Sequence, residues 1–111
     1  MKHRLSVLTL LCSAAALLTA PDLSAQERPA WAQHCIYCHS LDEPQAGPAF
    51  RQIAARYRGN SDQSQAANQL KKSILEGSSG RWGVARMPAN VQISEAEAKL
   101  IAQWLLSLST P

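Results

Sequence analysis

The chain has 111 residues, 46% of them apolar and 17% charged, with a formal net charge of +3 at neutral pH. That length holds one small domain. The charge is modest and no basic run carries interleaved aromatics, so a nucleic-acid surface is not expected.

The N-terminus reads as a secretory signal. Lys2, His3 and Arg4 make a basic start, Leu5 to Ala20 is apolar, and Leu23-Ser24-Ala25 offers a small-residue cleavage site. The apolar run is shorter than the ~20 residues a spanning helix needs. Cleavage is therefore expected over a retained membrane anchor, and Cys12 is expected to leave with the signal. The predicted division is 1–25 as signal peptide and 26–111 as the mature domain. A domain this short buries only about 60% of its unfolded surface, and a large apolar cofactor would add to its core. Loss of Lys2, Arg4 and Asp22 leaves nine basic and seven acidic residues. The arginines are scattered, at Arg51, Arg56, Arg58, Arg81 and Arg86. They read as solvated helix faces or as a docking rim giving salt-sensitive association.

Four helical stretches follow, with no convincing strand. The first runs from about Pro29 to Tyr37, with proline suited to a first turn and Trp31, His34 and Cys35 along one side. The second opens at Pro48, carries Phe50, Ile53, Ala54 and Tyr57 at helical spacing, and ends at Gly59-Asn60. The third begins near Ser61 or Asp62, both good caps. Ala66, Ala67, Leu70, Ile74 and Leu75 form its expected inner face, and Gly77 closes it. Residues 81–91 read as loop. The last helix opens with Ser94 and Glu97 as a capping box, and Leu100, Ile101, Trp104, Leu105 and Leu108 form its expected stripe.

The most informative residues are Cys35-Ile36-Tyr37-Cys38-His39, the attachment pattern of a c-type haem. Positions i, i+3 and i+4 of a helical turn share one face. Two thiols can then form thioethers with one flat ligand while the imidazole reaches its iron. Three other readings are available. A redox dithiol expects a βαβ pattern, a structural zinc site expects a second ligand pair, and a disulfide leaves His39 without a role. The mature domain keeps one methionine, Met87, in a Gly/Pro-rich loop and followed by Pro88. It is the candidate sixth ligand, with core filler as its plainer role. His34, next to Cys35, is expected to face solvent. With His39 and Met87 both on the iron, no position is open for a substrate, and the expected role is one-electron carriage.

With Gly47-Pro48-Ala49-Phe50, Gly77-Ser78-Ser79-Gly80-Arg81-Trp82-Gly83 and Arg86-Met87-Pro88-Ala89-Asn90 added, the chain resembles the small bacterial class I cytochromes c, the short monohaem carriers of denitrification type. The resemblance spans about Trp31 to Leu108. It implies an all-α cytochrome c fold of about four short helices around one covalent haem c per chain. It also implies that the Pro48 carbonyl accepts from His39, that Trp82 directs its indole N–H to a haem propionate, and that Asn90 hydrogen-bonds the Met87 sulfur. The first and last helices are expected to pack together with Trp104 in the seam. The third helix often supplies an arginine to a propionate in this family. Here that position holds Ser73, and Arg81, Lys71 or Lys72 are the candidate substitutes. The expected role is a periplasmic, monomeric electron carrier for redox protein partners, not an enzyme, with no membrane insertion after cleavage. The alternatives are a dedicated cytochrome subunit of a periplasmic dehydrogenase and a haem sensor or weak peroxidase.

Overall fold

The computed structural model describes residues 30–110. The predicted signal peptide and the side chain of Trp31 lie outside the described residues. Four helical elements appear in the expected order: a 3₁₀ helix over Ala30–Tyr37, then α1 over Phe50–Arg58, α2 over Gln63–Glu76 and α3 over Glu95–Ser107. Among the described residues the only strand-like pairing is an isolated antiparallel bridge between Ser78 and Met87.

Local chemistry explains each start. In α1 the Gln52 side chain accepts from the Ala49 N–H at 3.0 Å. This is half a capping box, because Ala49 has no side-chain oxygen to complete it. In α2 the Asp62 carboxylate accepts from the Gln65 N–H at 2.9 Å. In α3 Ser94 Oγ accepts from the Glu97 N–H at 3.2 Å, and the Glu97 carboxylate accepts from the Ser94 N–H at 2.8 Å, closing the expected box. The first element differs from expectation in being a 3₁₀ helix. Its last turn is bifurcated: the Cys35 carbonyl accepts from both the Cys38 N–H at 3.2 Å and the His39 N–H at 3.0 Å.

The core joins all three α-helices. Phe50, Ile53, Ala54 and Tyr57 of α1 meet Ala66, Leu70 and Ile74 of α2 and Ala98, Ile101, Ala102, Leu105 and Leu108 of or just after α3. Full burial of each large aliphatic side chain is worth about 1.5–3 kcal/mol. One expected member of the last stripe is out of place, since Leu100 is 47% exposed. The buried face instead passes through Ala98 and Ala102, both at 0% exposure. These two small side chains let α3 lie close along α2, and that turns Leu100 outward. Trp104 meets Phe50 of α1 edge to face, with centroids 5.1 Å apart, and α3 also packs on the 3₁₀ helix.

Two of the scattered arginines serve the end of α3. That helix has no basic residue in its last turn, so its carbonyls and negative pole need a donor from elsewhere. Arg58 donates to the Leu108 carbonyl and, at 3.1 Å, to Thr110 Oγ1. Arg51 donates to the Ser109 carbonyl at 2.9 Å and pairs with Asp42 at 2.8 Å. Neither is the free rim charge anticipated from the sequence.

Ser94→Ala is expected to cost ~1 kcal/mol of stability in denaturant titration, with the fold intact. Hydrogen bonds from Ser94 hold the Glu97 carboxyl below its ordinary 4.5. A carboxyl lowered in the folded state adds stability that is present above 4.5 and is lost as pH falls through the lowered value. The variant's melting temperature should therefore fall less steeply than the parent's on acidification below that point.

Candidate functional site

A cavity of about 430 Å³ opens between the N-terminal segment, the helices and the loop after α2. Cys35, Cys38, His39, Pro48, Trp82, Met87 and Asn90 all line it. Residues 55 positions apart in sequence, from Cys35 to Asn90, thus share one space. Ile53, Leu70, Ile74, Ile101 and Leu105 supply apolar wall.

His39 is the most firmly seated of these residues, and it is buried. Its Nδ1 donates to the Pro48 carbonyl at 2.6 Å, as expected. That bond sets the tautomer, leaving Nε2 with a lone pair for a metal. Phe50 stacks on the ring at 5.4 Å between centroids and 24° between planes. Gly47 completes the seat. A Cβ there would stand 2.5 Å from His39 Cε1 and 2.9 Å from Nδ1, closer than such atoms approach. The Gly47 N–H donates to the Cys38 carbonyl at 2.8 Å, and the Phe50 N–H donates to the Ser40 carbonyl at 2.9 Å. These bonds fold 40–50 back over the Cys-x-x-Cys-His turn. The sequence placed Phe50 in the apolar stripe of the second helix but gave neither Phe50 nor Gly47 a role beside His39. The cue was there, because a glycine directly before a proline that faces a ligand histidine marks a close backbone approach.

The thiols of Cys35 and Cys38 are unbridged, the first half-buried and the second exposed. Burial, and then the neighbouring Cys38, push the Cys35 thiol above its usual value. A thioredoxin-type dithiol needs the opposite shift. Among the described residues no group of three or more His, Cys, Asp or Glu is arranged to hold a metal ion, whereas a structural zinc site takes four ligands. What remains is two thiols, one metal-ready imidazole and a large apolar cavity. That donor set fits a covalently held haem.

Met87 is half-buried in the loop, and a specific device sets its position. Gly77 ends α2 with φ +80, a backbone region open to glycine. A Cβ at Gly77 would lie 2.6 Å from the Met87 carbonyl. This close approach lets Ser78 and Met87 exchange two backbone hydrogen bonds, each 2.9 Å. Asn90 ties down the far side of the loop. Its backbone N–H and its side-chain Nδ2 both donate to the Ile74 carbonyl, at 3.0 and 3.1 Å.

Trp82 is half-buried, with the Arg56 guanidinium 4.6 Å over its ring, a cation–π arrangement. His34 is exposed, as expected, and lines the cavity beside Cys35. Lys71 and Lys72 do not line the cavity. They pair with Glu95 at 2.8 Å and Glu76 at 3.2 Å, which removes them as substitutes for the family's helix arginine. Arg81 and Arg86 do line it.

The cytochrome c family pattern matches residues 28–109. The chain is similar to cytochrome c-552 of Nitrosomonas europaea, at 43% identity over 96 residues covering 86% of this chain and 90% of that protein. It is also similar to cytochrome c-551 of Azotobacter vinelandii, at 42% identity covering 66% of this chain and 84% of that one. The crystal structure of wild-type Nitrosomonas europaea cytochrome c552 superposes with a TM-score of 0.65, covering 71% of this chain and 96% of that chain. With the Cys35, Cys38 and His39 arrangement, these likenesses establish haem c as the cofactor and electron transfer, not enzymatic turnover, as the activity. The chain belongs to the cytochrome c family and is one of its small bacterial class I, monohaem members.

Proposed function

We propose that this cytochrome is an exported, periplasmic carrier that shuttles single electrons between redox proteins. Cys35 and Cys38 are its thioether anchors, and His39 and Met87 are its axial ligands. The observation that carries this reading is the convergence of all four side chains on one cavity, with His39 Nε2 left available by the bond from Nδ1 to Pro48. The bound haem supplies a one-electron iron couple, which a thioether ligand biases toward the ferrous form. The protein's own part is to hold that site still. Pro48 fixes the imidazole's orientation and basicity, and Gly47 and Phe50 enclose the ring. The Ser78–Met87 bridge holds the methionine loop at its root. Asn90 anchors the same loop to α2 and retains a second amide N–H for the Met87 sulfur. Trp82 lines the cavity with an indole N–H suited to a haem propionate. The apolar walls exclude water, so little solvent need reorganise on electron transfer.

Export is supported by the basic and apolar signal-like N-terminus and by the thioether chemistry of this family. No helix among the described residues is long and apolar enough to cross a membrane.

Three outcomes test the assignment. Met87→Ala in the haem-loaded protein should abolish the weak far-red methionine–iron band and lower the reduction potential; an unchanged spectrum would remove Met87 from the iron. The reduced parent protein should bind carbon monoxide only weakly at neutral pH, and tight binding would favour the sensor or peroxidase reading. Gly77→Ala should loosen the methionine loop, seen as loss of the same far-red band at a lower temperature than in the parent. The thioether attachment itself should survive that change.

A further inference from the structure

The charges around the cavity point to a residue that the family pattern does not supply. Among the described residues no aspartate or glutamate lines the cavity, yet two arginines do, Arg81 and Arg86; Arg81 also borders a smaller adjoining cavity with Arg56, Tyr57, Asn60 and Gln69. Among the described residues neither belongs to an ion pair, while Arg51, Lys71 and Lys72 each do. Two exposed arginines at the edge of a cavity without a carboxylate make its mouth electropositive and favour an anionic group on its occupant. Haem c brings two carboxylates on its propionate arms. On α2, the cavity-facing position beside Ile74 is Ser73, which offers a hydroxyl and no charge.

The two guanidinium groups differ in how they are held. Arg81 Nη1 donates to the buried Tyr57 hydroxyl at 2.6 Å. The Arg81 carbonyl accepts from Arg56 Nη1. Arg56 in turn lies over Trp82, the next residue along the chain. Arg81 is therefore secured at both backbone and side chain by two residues of α1. Both arginines are exposed, and among the described residues Arg86 makes no such bonds. An arginine fork has five N–H donors, so the bond to Tyr57 leaves donors for a second acceptor. Pre-ordering lowers the side-chain entropy lost when that acceptor arrives.

We propose that Arg81, positioned by Tyr57 and Arg56, supplies the cation that pairs with a haem propionate in this chain, in place of a charge from α2. The proposal rests on the reading of this cavity as the haem pocket. A positive charge beside the haem disfavours the ferric state, so its removal should lower the midpoint potential.

The test is spectroelectrochemical titration of the haem-loaded parent and of Arg81→Gln, Arg81→Lys, Tyr57→Phe and Lys72→Gln. Arg81→Gln is expected to shift the one-electron equilibrium toward the oxidised form by about three- to tenfold, a tenfold change being 59 mV. Arg81→Lys should keep most of the parental potential. Tyr57→Phe should shift it in the same direction by less, and adding Tyr57→Phe to Arg81→Gln should add nothing. Lys72→Gln, outside the cavity, should leave it unchanged. A parental potential in Arg81→Gln, or equal shifts in Arg81→Gln and Arg81→Lys, would overturn the proposal. If Arg81→Gln fails to take up haem, Tyr57→Phe decides: a parental potential there overturns the proposal, and a lowered one upholds it. In every case the far-red methionine band of the parent reports separately on the pocket. Its presence with an unmoved potential sinks only the role of Arg81, and its absence in the parent sinks the pocket reading itself.

Discussion

The hydrogen bond from His39 Nδ1 to the Pro48 carbonyl, 2.6 Å long, sets the geometry on which the site depends. It can form only because Gly47 has no Cβ to strike the imidazole and because backbone bonds fold 40–50 over the cysteine turn. The same segment then delivers Phe50 to the ring face and starts α1. One short stretch therefore orients the His39 imidazole, fixes its tautomer, and hands the chain into the helix that builds much of the core. A small domain with little surplus burial gains from placing its structural and chemical demands on the same residues.

The methionine loop is held by a different means. A loop of ten or so residues cannot place one side chain by its own stiffness, and Pro88 alone does not suffice. The left-handed Gly77 brings Ser78 against Met87, and Asn90 returns the chain to the carbonyl of Ile74 near the end of α2. Both attachments use the C-terminal end of α2, where helix carbonyls lack intrahelical partners. The loop thus meets the hydrogen-bonding needs of the helix end while the helix end positions the loop.

The arginines sort into two groups by what they face. Arg51 and Arg58 complete the C-terminal end of α3, which has no cation of its own. Arg56 and Arg81 form a connected set with Tyr57 and Trp82 at the cavity. Only Arg86 stays exposed at the cavity edge without a described hydrogen bond or ion pair, and so best fits a docking rim. A count of charges treats all five alike, and their roles separate only when the helices are packed.

Local patterns in the chain determined the elements and the chemistry. Cys35, Cys38 and His39 fall on one turn by spacing alone, Ser94 and Glu97 form their box within four residues, and Met87 stands out as the one methionine beyond the first residue. Such short-range features depend on backbone geometry that any helix or turn repeats. Tertiary structure decided the rest, because it concerns contacts between distant residues. Leu100 and the alanines at 98 and 102 could exchange inner and outer places until α3 met α2, since a stripe read by hydrophobicity undervalues small side chains that permit close packing. Lys71, Lys72 and Arg81 were equivalent candidates until the fold sent the two lysines to Glu95 and Glu76 and set the arginine at the cavity's edge beside Tyr57. The need for glycine at 47 and 77 is likewise a property of what passes beside them, an imidazole in one case and the Met87 carbonyl in the other.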